Sequence, residues 1–203
     1  ESDPYELLAV EYQKINDSVN FLNTLKEGAI KFPANQYFTP NLINEFIRSG
    51  QAEAALEFLD QAIKNDPDSK CELLSVKASL QASDKKYDES IKHYNEALAF
   101  DDNCERALEG LGVVYVLQAQ DLKEQVGQVT NRQKLKEIDE QTIALYKKSL
   151  PLLEKFVSLL RARNAEKADL RPWLVKLQNV YYNLSLLNVD KNAELEAIDK
   201  ELQ

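Results

Sequence analysis

The feature that most constrains the fold is a spacing of 34 to 35 residues between polar turns. Pro33 and Pro67 lie 34 residues apart, and Asp102 follows 35 residues later in a similar turn. Small or apolar residues stand 12, 8 and 5 positions before each turn residue: Phe21, Leu25 and Gly28; Ala55, Leu59 and Ala62; Ser90, Tyr94 and Ala97. A unit this short cannot bury its apolar face alone, so the period indicates stacked repeats.

Each repeated unit has the pattern of two helices. The first helix of three units places an aromatic residue four positions after a Leu, as in Leu8 and Tyr12, Leu42 and Phe46, and Leu111 and Tyr115. Gly50 stands where a tight turn joins the two helices of the second unit. With only 5 Gly and 6 Pro in 203 residues, little interrupts helix formation. The sequence therefore predicts an all-α protein.

A period of about 34 residues in paired helices resembles the tetratricopeptide repeat. Leu108-x2-Leu111-Gly112-x2-Tyr115 is the closest copy of its motif, with Leu in place of the usual Trp. The resemblance covers nearly the whole chain and implies an α-alpha superhelix, or solenoid. We interpret residues 1–203 as a single domain with repeats at 2–35, 36–69, 71–104 and 105–170 and a terminal unit at 171–203.

The fourth unit is almost twice the usual length. Its first helix is predicted to end at Gly127, and Thr130 with Gln133 has the form of a capping box that opens the second helix. Pro151 is expected to kink or restart that helix. The extra residues predict a hairpin that projects roughly 24 Å. It is either a solvated spacer or an arm that docks or dimerises, and a similar long pair is typical of tetratricopeptide proteins common in Bacteroidetes.

Composition and motifs point away from catalysis. A net charge of −9 argues against nucleic acid and anionic membranes, and no apolar run is long enough to insert into a bilayer. With His93 as the single His, no His pair for a metal can form, and we expect that residue to be exposed. Cys71 and Cys104 are expected to be free thiols, because packed helices lie farther apart than a disulfide spans. We predict no enzyme activity, cofactor or metal.

The resemblance implies that the first helices line a concave groove in which extended peptides or helices bind. Asn can both donate to and accept from a peptide backbone, and Tyr adds rigid apolar area with a polar tip. The groove candidates carried over from the family are Tyr37, Asn41, Asn44, Arg48, Ser75, Ser79, Arg106, Val113, Lys176, Asn179, Tyr182 and Asn183. The clamp with which one branch of the family binds acidic chaperone tails is missing, since its positions hold Glu6, Val10, Ser75 and Gly110.

These features favour a protein–protein interaction scaffold with a protein or peptide partner, and a second copy docking through the hairpin is a further option. Two alternatives stay open: a regulatory or recruiting segment of a larger enzyme or sensor, and a carrier of a small molecule or glycan. The chain has no Met, so we interpret it as part of a longer product. The family resemblance favours export to a bacterial periplasm, with the cytoplasm as the alternative.

Overall fold

The computed structural model describes residues 3–32, 35, 37–127 and 129–202. Pro33, one of the residues that define the period, lies outside these ranges. The described residues form ten α-helices and one short 3-10 helix, Pro67–Ser69. The α-helices are α1 Asp3–Lys14, α2 Ser18–Lys31, α3 Phe38–Arg48, α4 Ala52–Asn65, α5 Lys70–Ser83, α6 Tyr87–Phe100, α7 Glu105–Val126, α8 Arg132–Ala162, α9 Lys167–Leu186 and α10 Asn192–Leu202. The predicted all-α solenoid of paired helices is confirmed.

The turns inside the helix pairs repeat the sequence period. Asn16, Gly50 and Lys85 each join the two helices of a pair with a positive φ of 56°, 70° and 58°. They are 34 and 35 residues apart. Gly and Asn adopt this left-handed conformation readily, whereas a Lys rarely does. The period therefore marks the same backbone turn even where the residue type does not reveal it.

The chain divides into two compact units, Glu1–Lys77 and Ala78–Gln203, with the boundary inside α5. In the first unit, Leu25, Phe38 and Leu42 are fully buried among α2 and α3. Ile43, which stands where the repeat normally has a small residue, is buried in a cluster with Leu59. The bulky side chain thus belongs to the core of this unit.

The second unit contains the long helices. α7 has 22 residues and α8 has 31, against 11 to 14 in the first six helices. Gly127 follows the last residue of α7, as predicted. α8 continues through Pro151 without restarting. The two helices meet closely at Gly112, whose carbonyl oxygen accepts a 2.8 Å hydrogen bond from the buried Ser149 hydroxyl.

α9 is another long helix of the second unit. It begins at Lys167, so Pro172 lies inside the helix. With 20 residues, α9 runs beside the hairpin, where Lys123 Nζ donates to Asn183 Oδ1 at 2.5 Å. Ile143 of α8 also packs against the core cluster to which α9 contributes. The hairpin is elongated, but less of it extends past its neighbours than helix length alone indicates.

The cap of α8 is one residue later than predicted. Asn131 is the N-cap, and its side-chain oxygen accepts from the amides of Gln133 at 2.9 Å and Lys134 at 3.1 Å. The Gln133 side chain donates to Glu137 rather than completing a capping box. Thr130 is therefore outside the cap.

Because Asn131 rather than Thr130 is the N-cap, substitutions of these two neighbours should change the stability unequally. Asn131→Ala should lower the free energy of unfolding by about 0.5–2 kcal/mol, because two amides at the helix start lose their acceptor. Thr130→Ala should change it by less than about 0.5 kcal/mol. Urea denaturation followed by circular dichroism measures both. If Thr130→Ala lowered the free energy of unfolding more than Asn131→Ala does, the cap would be Thr130, as the sequence predicts.

Candidate functional site

A cleft in the second unit runs between α7 and α9, with α8 beneath it. Its volume is about 280 Å³. The residues that line it are Val113, Val116, Leu117, Gln120, Tyr146, Pro172, Val175, Lys176, Asn179, Val180 and Asn183. α7 and α9 are the first helices of consecutive pairs, so the cleft lies on the side where this repeat architecture forms a groove.

A hydrogen bond between the walls crosses the cleft near one end. Lys123 of α7 donates to the side-chain oxygen of Asn183 on α9. The Asn183 amide nitrogen in turn donates to the Asn179 carbonyl oxygen at 2.7 Å, which fixes the orientation of the Asn183 side chain. Asn179 itself is exposed, one helical turn earlier. The Asn183 amide thus joins the two walls, while the Asn179 amide faces solvent.

The walls of the cleft are apolar and partly open to solvent. Leu117 on α7 is 36% exposed and Val175 on α9 is 38% exposed. The same face of α9 continues with Tyr182 and Leu186, both more than half exposed. Exposed apolar side chains next to one another on a groove are typical of a surface that a partner covers.

Tyr146 of α8 forms the floor. Its residue is only 2% exposed, and burial raises the pKa of its phenol. Tyr146 is one of the residues that line the cleft. A ligand in the cleft would find both a donor and an acceptor there.

The charge of the cleft differs from that of the whole chain. The protein has 34 acidic and 25 basic residues. The cleft lining contains one Lys and no Asp or Glu. The Lys176 ammonium lies 4.7 Å above the Trp173 ring. Glu109 is the nearby acid: burial raises its pKa, while the charges of Lys176 and Arg106 lower it.

The cleft brings together four of the residues predicted for the groove, Val113, Lys176, Asn179 and Asn183. Tyr182 stands on the next turn of α9, exposed. The other lining residues are not among the groove candidates predicted from the sequence: Val116, Leu117, Gln120, Tyr146, Pro172, Val175 and Val180. The first three lie in the segment interpreted as the hairpin, and Tyr146 lies on a second helix, which the family's groove rule leaves out.

Four other predicted residues share one face of α3 in the first unit: Tyr37, Asn41, Asn44 and Arg48. Three of them are engaged within the protein, and one of these is Tyr37, whose ring meets the Phe38 ring edge-on at a centroid distance of 5.4 Å. Asn41 donates to the Tyr37 carbonyl oxygen at 2.7 Å, and Arg48 forms two hydrogen bonds with the buried Glu45 carboxylate at 2.6 and 3.0 Å. Asn44 is exposed, so it is the freest member of this face for contact with a partner.

The remaining predicted residues are apart from both places. Ser75 is fully buried, and its hydroxyl donates to the Cys71 carbonyl oxygen at 2.7 Å. We therefore leave Ser75 out of the proposed site. Ser79 and Arg106 are exposed but do not line the cleft.

Two expectations about reactive side chains were wrong. His93 is half-buried rather than exposed, with Nδ1 2.7 Å from the Gln81 side-chain oxygen. Cys71 and Cys104 are disulfide-bonded. Both lie at helix starts, Cys71 as the second residue of α5 and Cys104 as the N-cap of α7.

The described residues contain neither a metal-binding group of side chains nor a helix that could span a membrane. No group of three or more His, Cys, Asp and Glu side chains among residues 3–32, 35, 37–127 and 129–202 is placed to hold a metal ion. Within the same ranges, every helix is too short or too polar to cross a membrane.

Solved structures with similar folds support a tetratricopeptide-repeat-like protein. The human IFIT1 dimer with m7Gppp-AAAA matches with a TM-score of 0.55 and 18% identity, covering 90% of this chain and 35% of IFIT1. This chain thus spans about a third of that protein. BtubC from P. vanneervenii matches with a TM-score of 0.54 and 16% identity, covering 98% and 77%. A tetratricopeptide repeat protein from Parabacteroides merdae matches with a TM-score of 0.43 and 18% identity, covering 98% and 78%.

The matches to IFIT1 and BtubC, both with TM-scores above 0.5, show the fold alone. No protein-family model matches the sequence, and the search of curated proteins found no match.

Proposed function

We propose that this chain is a non-catalytic protein–protein interaction module that binds a peptide segment of its partner in the cleft between α7 and α9. The observation that carries this proposal is the combination of partly exposed apolar walls with amide side chains along one groove. Apolar side chains supply affinity when a partner covers them, and Asn and Gln can pair with a peptide backbone. Helical repeat arrays commonly use such extended concave surfaces for binding.

The open shape of the cleft supports a peptide over the carrier alternative. Small-molecule sites are clefts or cavities of about 300–1,000 Å³ that enclose most of the ligand surface. The cleft here is about 280 Å³ and open along two helices. Such a shape suits one or two side chains of a longer segment that continues beyond the cleft.

A nucleic acid ligand is the weaker hypothesis. The human IFIT1 dimer was solved with m7Gppp-AAAA. Binding several phosphates requires clustered Lys and Arg side chains. The lining of this cleft provides one Lys, in a chain of net charge −9. We therefore propose a peptide rather than a capped RNA.

A display selection tests the proposal without a known partner. A random peptide library selected on the full chain should yield peptides whose affinity falls at least about tenfold in the double variant Val175→Ser and Asn179→Ala, since a buried apolar contact and a hydrogen bond are lost together. Fluorescence anisotropy measures the affinities, and thermal melting verifies that each variant is folded.

Asn95→Ala is the matched control, because Asn95 is an exposed amide on α6 in the same unit, away from the cleft. Its affinities should equal those of the unaltered protein. Selected peptides that bind the double variant normally but lose affinity in the variant Asn44→Ala and Arg48→Glu would move the site to α3. A selection that yields no peptide dependent on the cleft would end the proposal.

A further inference from the structure

We infer that the cleft between α7 and α9 recognises an acidic peptide: an extended segment with two side-chain carboxylates three residues apart and apolar residues between them. This inference rests on the proposed function and deepens it, because it names the chemistry of the partner segment. It concerns internal Asp or Glu side chains rather than a chain terminus.

Charge is the first observation. Lys176 lines the cleft, and Lys123 reaches the lining residue Asn183. Neither Lys forms an ion pair within 4.0 Å with another described residue, although acidic residues outnumber basic ones by 34 to 25. The acid on which the charge of Lys176 acts is Glu109, which lies outside the lining. Two ammonium groups without a carboxylate at ion-pair distance, beside a lining without acids, complement a negatively charged ligand.

The spacing of the two lysines sets the spacing of the carboxylates. Asn183, which holds Lys123, lies seven residues after Lys176 on α9, or about 10 Å along the helix axis. An extended chain covers this distance in about three residues at roughly 3.3 Å each. Side chains three residues apart in an extended segment point to opposite sides. One carboxylate would thus face Lys123 on α7 and the other Lys176 on α9.

The stretch between the lysines suits the middle of such a segment. Val116 and Leu117 form the α7 wall there, and Val180 is buried beneath the α9 wall. Tyr146 lies on the floor, within the same lining. Apolar side chains would pack on these residues, while Tyr146 and the Asn179 amide offer hydrogen bonds to the peptide backbone.

Glu109 is the internal competitor for Lys176. The charge of Lys176 acts on the Glu109 carboxyl, which is half-buried and does not line the cleft. A ligand carboxylate must share Lys176 with this residue. Removing the Glu109 charge should therefore tighten binding of an acidic peptide, an outcome that a merely structural role of Glu109 would not produce.

Capped synthetic peptides separate the charge from the shape of the ligand. We would compare fluorescein-labelled peptides with a Glu-Leu-Val-Glu or a Gln-Leu-Val-Gln core, both acetylated and amidated, by anisotropy on the full chain. The acidic peptide should bind at least about tenfold more tightly, as expected for charge-assisted hydrogen bonds. Lys123→Met and Lys176→Met should each remove most of that preference, and Glu109→Gln should increase it.

Lys147→Met provides the control, because it makes the same charge change on the exposed side of α8, away from the cleft. It should leave both affinities unchanged. Equal affinity for the two cores, or the same loss in Lys147→Met, would overturn the inference while the proposed function stands. Binding of neither core, together with cleft-dependent library peptides that lack two acids three residues apart, would overturn it as well. If the library also yields no cleft-dependent peptide, both proposals fail.

Discussion

Leu153→Ala is expected to lower the free energy of unfolding by about 2–5 kcal/mol, the range for removing a buried Leu side chain. Leu153 is 1% exposed in the core shared by α8 and α9. Its side chain also packs against Gly112 of α7, where an added Cβ would lie 2.7 Å from Leu153 Cδ2. The substitution would remove one of the close contacts between the two long helices. Chemical denaturation measures the loss.

The partner position allows this contact to be tested from both sides. Gly112→Ala alone should destabilise the protein because its Cβ overlaps the Leu153 side chain. In the Leu153→Ala background the same substitution should cost less or become favourable, since the overlap is gone and Ala is the better helix former. Leu186→Ala, at a 60% exposed position on α9, is the control and should have little effect. Additive effects of the two substitutions would show that the residues do not share this contact.

Gly28→Ala is expected to lower the free energy of unfolding by about 1–3 kcal/mol, as overpacking of a filled core does. Helix propensity alone predicts the opposite sign, a gain of roughly 1 kcal/mol. The added Cβ would lie 2.3 Å from Phe38 Cδ1, and Phe38 is fully buried. Its ring is also stacked with Phe32 at a centroid distance of 6.1 Å, which limits its room to move.

Gly127→Ala is the matched control for this prediction. Gly127 has a φ of −62°, and nothing lies within 4 Å of a Cβ built there. Its substitution should change the free energy of unfolding by less than about 0.5 kcal/mol. Thermal or urea denaturation of both variants gives the comparison. If Gly28→Ala were as stable as the unaltered protein, the Phe38 ring would be able to move away from the added Cβ without loss of stability.

The period predicted most of the helices because it is a local property. Small and apolar residues at fixed intervals mark helix faces, and turn residues mark the ends, so Gly127 could be placed at the end of α7 from the sequence. The cap of α8 was predicted less accurately, since it is Asn131 rather than Thr130. Which side chain turns back onto the first amides of a helix depends on its conformation, which the sequence does not show.

The candidate site was predictable only in part. The groove rule of the family supplied Val113, Lys176, Asn179 and Asn183 from the first helices. It could not supply Tyr146, which reaches the same cleft from α8. Nor could it show that Ser75 is buried or that Arg48 is paired with Glu45. These facts depend on which face of each helix its neighbours cover.

The sequence by itself determined the repeat and its exception, because the spacing of turns and of small residues fixes where helices begin, end and meet. The tertiary structure alone decided the rest. It decided that Gly28 and Gly112 leave room for Phe38 and Leu153, since a close approach involves residues from two helices. It also decided that a partly apolar cleft lined by one Lys and no acid exists in an acidic chain. Net charge is a sum over the sequence, whereas a binding surface depends on which charges fold next to one another.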